Sequence, residues 1–364
     1  MNKIRTLHPD RTRISKTADA GTRLSHRQHQ TQFYAQAKRS CRDLFQIRPA
    51  YYWIDFLASS VTAYIAASVY LASAVHSPLG WLALGIAVVL LYRASMFIHE
   101  IVHLPHRELK FFRRFWNLFA GVPMMVPTFT YESHAHHHSS RHYGTDHDGE
   151  YLPLASGSYL GVAAFLAQIF FQPLMVFVRY FIGTPISFLH PALRRWTLQN
   201  ASSLVINFRY HHGDRVVKHS REDTFWEILT SVRAAVMIGL VLCGVMPWIR
   251  LPKLLLLAMC VLAVNHLRTL VAHRYRNDGQ TISHLEQFQD STNITGGWLT
   301  ELWCPLGLRY HALHHLFPGI PYHNLGTAHR RLMRDLPADS IYHQSVYPSF
   351  RSVIVELMTS IRSR

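Results

Sequence analysis

The sequence predicts an all-α integral membrane protein: four transmembrane helices in two hairpins, with interfacial helices and a cytosolic histidine-rich cap. Three observations predict it. Apolar, charge-poor runs of spanning length alternate with basic stretches. The 37 Lys and Arg outnumber the 21 Asp and Glu, for a net charge of +16, and they flank the apolar runs as the positive-inside rule expects. Histidine is abundant at 26 copies, nine of them between His99 and His147, and such clustering points to metal. Mean hydropathy is near zero, so the distribution decides and not the average.

Residues 1–48 carry eleven Lys and Arg against three Asp and lack an apolar run, so they are no secretory signal. They read as a disordered basic tail; their Arg-, Ser- and Thr-rich make-up also suits an organellar transit peptide. Runs 54–75 and 79–98 form the first hairpin, turned by "HSP" at 76–78. Runs 226–246 and 254–272 form the second, turned by "PWIRLPK". The second pair is weaker. Arg233, Asn265, His266 and Arg268 lie within it, and polar groups at such depth face a bundle interior or cavity.

Stretches 111–129 and 159–182 are apolar but interrupted, by Pro123 and Pro127 and by Pro173. If the histidine clusters near 99–138 and 311–315 share one site, an even number of crossings must separate them. The hairpin 226–272 supplies two, so 159–182 is expected to be interfacial or re-entrant. The following segment, 183–224, holds six Lys and Arg, including Arg194, Arg195, Arg215 and Lys218, and belongs on the cytoplasmic side. The membrane domain is thus 49–335, with a cytosolic tail over 336–364. The basic charge lies beside apolar runs, which points to anionic lipid and not nucleic acid. Cys41, Cys243, Cys260 and Cys304 form no C-x-x-C and read as packing residues.

Four histidine patches carry the chemistry. His99 and His103 are four apart at the end of the second run, about 40° apart on a helix, so they share a face. His106 would join them, but Pro105 disturbs the helix. In "ESHAHHHSSRH", His134, His137 and His138 occupy one helical face while His136 points away. His142 is a weaker neighbour. "YHALHHLFP" repeats the spacing with His311, His314 and His315. His273 stands alone at the end of the last run.

"HEIVH" at 99–103 also matches the zinc-protease pattern, with Glu100 as the base. That reading leaves two H-x-x-H-H triplets without a role. Eight or nine imidazoles exceed one tetrahedral zinc and suit two metals; imidazole binds iron, and iron(II) with an open position activates oxygen. Glu100 is then expected to orient an imidazole.

H-x-x-x-H, H-x-x-H-H and H-x-x-H-H, in that order around two hairpins, resemble the membrane fatty acid desaturase superfamily, which includes hydroxylases and ketolases. The resemblance covers about 51–334 and extends to "RHYGTDHDGEYLP" at 141–153. It implies a cap holding two Fe ions, with O2 as co-substrate, and a ligand set of His99, His103, His134, His137, His138, His311, His314 and His315, joined by His273. Acyl-CoA desaturases place an Asn four residues before that last histidine; here it is Thr269. The third box opens with His, unlike the Gln of many front-end desaturases. The implied reaction is desaturation of an acyl chain carried by a lipid or CoA, with hydroxylation or ketolation of a lipid or carotenoid as the alternative. No dinucleotide, haem or cysteine-cluster motif is present, so an external electron donor is expected: a ferredoxin, a rubredoxin or cytochrome b5.

Overall fold

The computed structural model describes residues 30–105, 107–212 and 219–363. His106, Arg215, Lys218 and the tail over 1–29 lie outside the described residues. The chain is mostly helical. The strands among the described residues are β1 (Asn293–Ile294) and β2 (Val346–Tyr347), which pair in parallel.

Among the described residues, five helices are long and apolar enough to cross a membrane: α1 (Pro49–Ala72), α2 (Pro78–His103), the course Tyr159–Ser187 that begins with α3 (Tyr159–Val178), α4 (Arg221–Leu242) and α5 (Arg250–Leu270). α1 and α2 each start with proline, which suits a first helical turn that has spare N–H groups. Ser77 caps α2 by accepting from the Gly80 N–H at 3.2 Å. Gly80 has no room for a side chain, since a Cβ there would meet Ser73 Cβ at 2.8 Å. The α1–α2 seam is lined by Ala63, Ala66, Ala67, Ala83 and Ala87, small residues that let two membrane helices approach closely. Asp55 on α1 accepts from Arg93 on α2 at 2.7 and 2.6 Å, so these two charges of the first hairpin are paired.

The count of candidate spans is therefore five where the sequence reading expected four. Pro173 sits inside α3 without ending it, and a π-turn at Arg179–Gly183 carries the course on to Ser187. Proline costs one backbone hydrogen bond and a kink, and the apolar run of 29 residues tolerates both. Only 17% of its most apolar window is buried against 56% for α2, so it lies outermost and α2 is central. Arg179 Nη2 at its end donates to the fully buried Glu227 of α4 at 2.7 Å, and Arg194 Nη2 adds a second bond at 2.6 Å. Ser220 and Asp223 form a capping box that starts α4.

The histidine-rich part packs on the ends of these helices through α6 (His311–Leu316), α7 (Tyr322–Asp335) and α8 (Phe350–Arg362). Tyr322 OH donates to Asp55 Oδ2 at 3.1 Å and ties the cap to α1. The boundaries expected at 48 and 335 do not separate packed chain from tail. Residues 30–40 are helical, and Ala37, Cys41 and Leu44 are buried against Leu313, Leu316 and Phe317 around α6. α8 buries Val353, Leu357 and Ile361. Each buried leucine, valine or isoleucine among them contributes about 1.5–3 kcal/mol, which helps fix a helix too short to be stable alone. The apolar positions in both segments are few and spaced for one helix face. Composition hides that pattern, and periodicity shows it.

Candidate metal centre

α2 delivers His99 and His103 from its last turn. A single helical turn, His134–His137, with His138 capping it, delivers the second patch. α6 delivers the third. Its Ala312, Leu313 and Leu316 face the apolar cluster under the 30–40 helix, which turns His311, His314 and His315 the other way. Asn293 Oδ1 accepts from the Leu313 N–H at 3.0 Å and fixes the turn. His273 lies just beyond α5, held in an antiparallel bridge to Ser291.

All nine histidines expected from the sequence come together, in two groups. His99, His103, His134, His138 and His314 have ring nitrogens within 4.8 Å of one another, and so do His137, His273, His311 and His315. In the first group Nε2 of His314 is 3.0 Å from that of His103 and 3.2 Å from that of His138, and His138 is 3.0 Å from His134. In the second, Nε2 of His273 is 3.2 Å from His137 and 3.0 Å from His311, and His315 is 3.2 Å from His311. Each triplet is split between the groups. Residues four apart stay together (His134 with His138, His311 with His315), while His137 and His314 cross to the opposite group. The spacing reading, in which all three rings of a triplet converge, is corrected here: the i+3 ring diverges by about 60° from its i neighbour. His136 is exposed and stacks on His142 at 5.1 Å, away from both groups.

Carboxylates set the tautomers. His137 Nδ1–H donates to Asp148 Oδ2 at 2.9 Å, and His134 Nδ1–H to Glu150 Oε1 at 2.8 Å. Tyr143 OH accepts from His273 Nδ1–H at 2.9 Å and donates to Asp290 Oδ2 at 2.8 Å, and Tyr151 OH donates to the same oxygen at 2.7 Å. A proton held at Nδ1 leaves Nε2 as a bare lone pair facing its group. Burial would raise the Asp148 carboxyl, but His137 and the N–H groups of Gly144 and Glu150 hold it below the usual carboxylate range. Burial keeps His134, His138, His273, His311, His314 and His315 below the ordinary imidazole range, hence neutral, the form that binds metal. His137 is the exception: burial pulls it down, and Asp148 outweighs burial and lifts it. Arg268 donates from Nη2 to His311 Nδ1 at 3.2 Å, a cation that disfavours a charged ring there.

Both ring nitrogens of His99 and Nδ1 of His138, His314 and His315 are buried without a hydrogen-bond partner among the described residues. Buried polar atoms are rarely left so, and nitrogen donors converging in two sets fit two metal ions. Glu100 does not orient an imidazole as expected. Its Oε2 accepts from Tyr52 OH at 2.8 Å and the Tyr322 N–H at 3.0 Å. That leaves the peptidase reading without its base. Asp148, Glu150, Tyr143 and Asp290 were not singled out from the sequence, and Arg268 was read only as a polar group facing an interior or cavity. The first three lie in the 141–153 segment, whose resemblance was seen but whose acids were not assigned.

Over 343 residues the chain is 38% identical to the ceramide hydroxylase of Caulobacter vibrioides (strain NA1000 / CB15N), covering 90% of this chain and 94% of that protein. No solved structure matches it. Residues 75–347, which hold every histidine of both groups, match the Fatty acid desaturase family, and the chain is a member of that family.

Proposed function

We propose that this protein is a membrane di-iron, O2-dependent hydroxylase of a ceramide or a similar long-chain lipid amide. The single observation that carries the choice is the 38% identity to a ceramide hydroxylase along nine-tenths of the chain. The sequence reading put desaturation first. The histidine set serves either reaction, since both begin with removal of hydrogen from an unactivated carbon, and the end-to-end likeness favours the alternative.

In this reading His99, His103, His134, His138 and His314 hold one iron, and His137, His273, His311 and His315 the other. When bound, the iron pair supplies the oxidising power for O2-dependent C–H chemistry, with electrons from a separate donor protein. The chain's own residues do the rest. Asp148, Glu150 and the Tyr143–Asp290 pair orient their imidazoles. Burial keeps water and protons from the ligands. The apolar helices α2 and α5 bring the lipid chain to the cap from the membrane.

The test is expression in a host that makes ceramides, followed by mass spectrometry of its lipids. A gain of one oxygen is expected. A loss of two hydrogens with no oxygen gained restores the desaturase reading. Metal analysis of the purified protein is expected to give near two irons per chain; one zinc would overturn both.

A further inference from the structure

The turn between His273 and the third histidine patch carries an apolar surface that the metal chemistry does not use. Trp298 is 75% exposed, Leu299 55% and Leu302 42%, in one continuous stretch. A soluble surface rarely presents such a contiguous set. The turn's other side is built in. Thr300–Trp303 packs on both α2 and α5. Trp303 joins a cluster with Val271, one residue past the end of α5. Leu306 joins Ala94, Phe97, Ile98 and Ile101, the last turns of α2. The exposed side chains therefore stand beside the histidine-bearing ends of two membrane helices, at the level where those helices leave the apolar layer. Tryptophan and leucine at that level are the residues that seat in lipid headgroups.

The turn is also braced against the third patch. Arg309, two residues before His311, donates from Nε to the Ile294 carbonyl at 2.9 Å, from Nη2 to the Gly296 carbonyl at 2.8 Å, and from Nη1 to Glu301 at 3.2 Å. Gly296 sits at a positive φ, and a Cβ there would run into Thr300 Oγ1. Asn293, at the turn's start, holds the Leu313 N–H of α6. Trp298 and Leu302 are thus fixed in position relative to both histidine groups.

We propose that residues 297–303 form a lipid-inserted lip: their apolar face lies in the headgroup layer at the α2–α5 rim and guides a lipid chain toward the two histidine groups. The guiding clause rests on the lipid hydroxylase reading; the insertion does not. Complementarity commits the occupant to bilayer lipid, since the face is apolar, tryptophan-bearing and continuous with the exposed side of α5, where Leu267 is also exposed.

The test labels position 298 in the full-length chain, as Trp298→Cys in a Cys243→Ser background, with a nitrobenzoxadiazole fluorophore in proteoliposomes. Asp339→Cys, at an exposed position beyond α7, is the water-facing control. The 298 label is expected to be quenched by lipid carrying a nitroxide near the headgroup, and to be bleached by aqueous dithionite at least about fivefold more slowly than the 339 label. Equal bleaching at the two positions overturns the lip. So does shielding that vanishes on dilution into excess lipid, which marks contact between copies. For the guiding clause, Trp298→Ala with Leu302→Ala is expected to raise the lipid KM about fivefold, with kcat and bound iron within about twofold and rescue by Trp298→Phe. An unchanged KM removes that clause. If no lipid turns over at all, the hydroxylase reading fails while the fluorescence result still decides the insertion.

Discussion

The two histidine groups differ in how they are held. His137, His273, His311 and His315 are all buried, and two of the four have an acceptor for their Nδ1–H, Asp148 and the Tyr143–Asp290 pair, while Arg268 donates to His311 Nδ1. In the other group His103 and His138 are half-buried, and only His134, through Glu150, has a carboxylate behind it. His99, His138 and His314 show bare Nδ1 atoms. The four-histidine group is a braced anchor, and the five-histidine group is the looser and more accessible one.

The largest effect expected is loss of a ring from either group. His137→Ala and His314→Ala should each abolish activity, by about a hundredfold or more, and lower bound iron, read by turnover and metal analysis. The braces come next and should rank by burial. Asp148 is fully buried and also accepts from the Gly144 and Glu150 N–H groups. Asp148→Asn would turn an amide toward His137 Nδ1–H, and should weaken metal binding about 10–100-fold. Glu150, with 19% of its side chain exposed, should cost less as Glu150→Gln. Equal losses in competitive metal titration would break the ranking. Asp290→Asn reaches His273 through Tyr143, so its cost to metal binding should be about tenfold or less and non-additive with Tyr143→Phe. The chelator experiment sharpens the contrast further. Iron should leave in two phases, the first about tenfold faster and assigned to the five-histidine group by its persistence in Asp148→Asn. A single phase would make the two groups equivalent.

Much of this site was legible in the sequence. All nine rings were named from spacing and resemblance, because a histidine's helical position fixes the side it faces. The pairing was not legible. H-x-x-H-H states that three rings share a face, and only the placement of facing helices shows that His137 and His314 serve the opposite group. The braces were hidden for another reason: Asp148, Glu150 and Asp290 lie 11, 16 and 17 residues from the rings they steer. Such contacts are set by loop paths and carry no periodicity. The first two spans were plain, since their apolar runs are clean. The course at 159–187 is long and apolar enough to cross, and Pro173 does not end it, a tolerance that the breaker role of proline hides in the sequence. The packing of 37–44 and 353–361 is not legible in composition, because a few apolar residues on one helix face carry it.

The smallest expected effect is the most discriminating control. His136 sits between two ring donors, within one residue of His137 and two of both His134 and His138, so a reading based on density alone would count it in. Geometry counts it out. The ring is exposed, stacks on His142 and lies 3.5 Å from Tyr210 OH, on the far side of the turn from both groups. His136→Ala should leave turnover and bound iron within about twofold, because an exposed ring outside the buried set contributes little to either. A loss equal to that of His137→Ala would mean that the short helical turn at 134–137 is not the frame that sorts these rings. The division into a braced and an open group would then fall with it, since the same turn sends His134 and His138 one way and His137 the other.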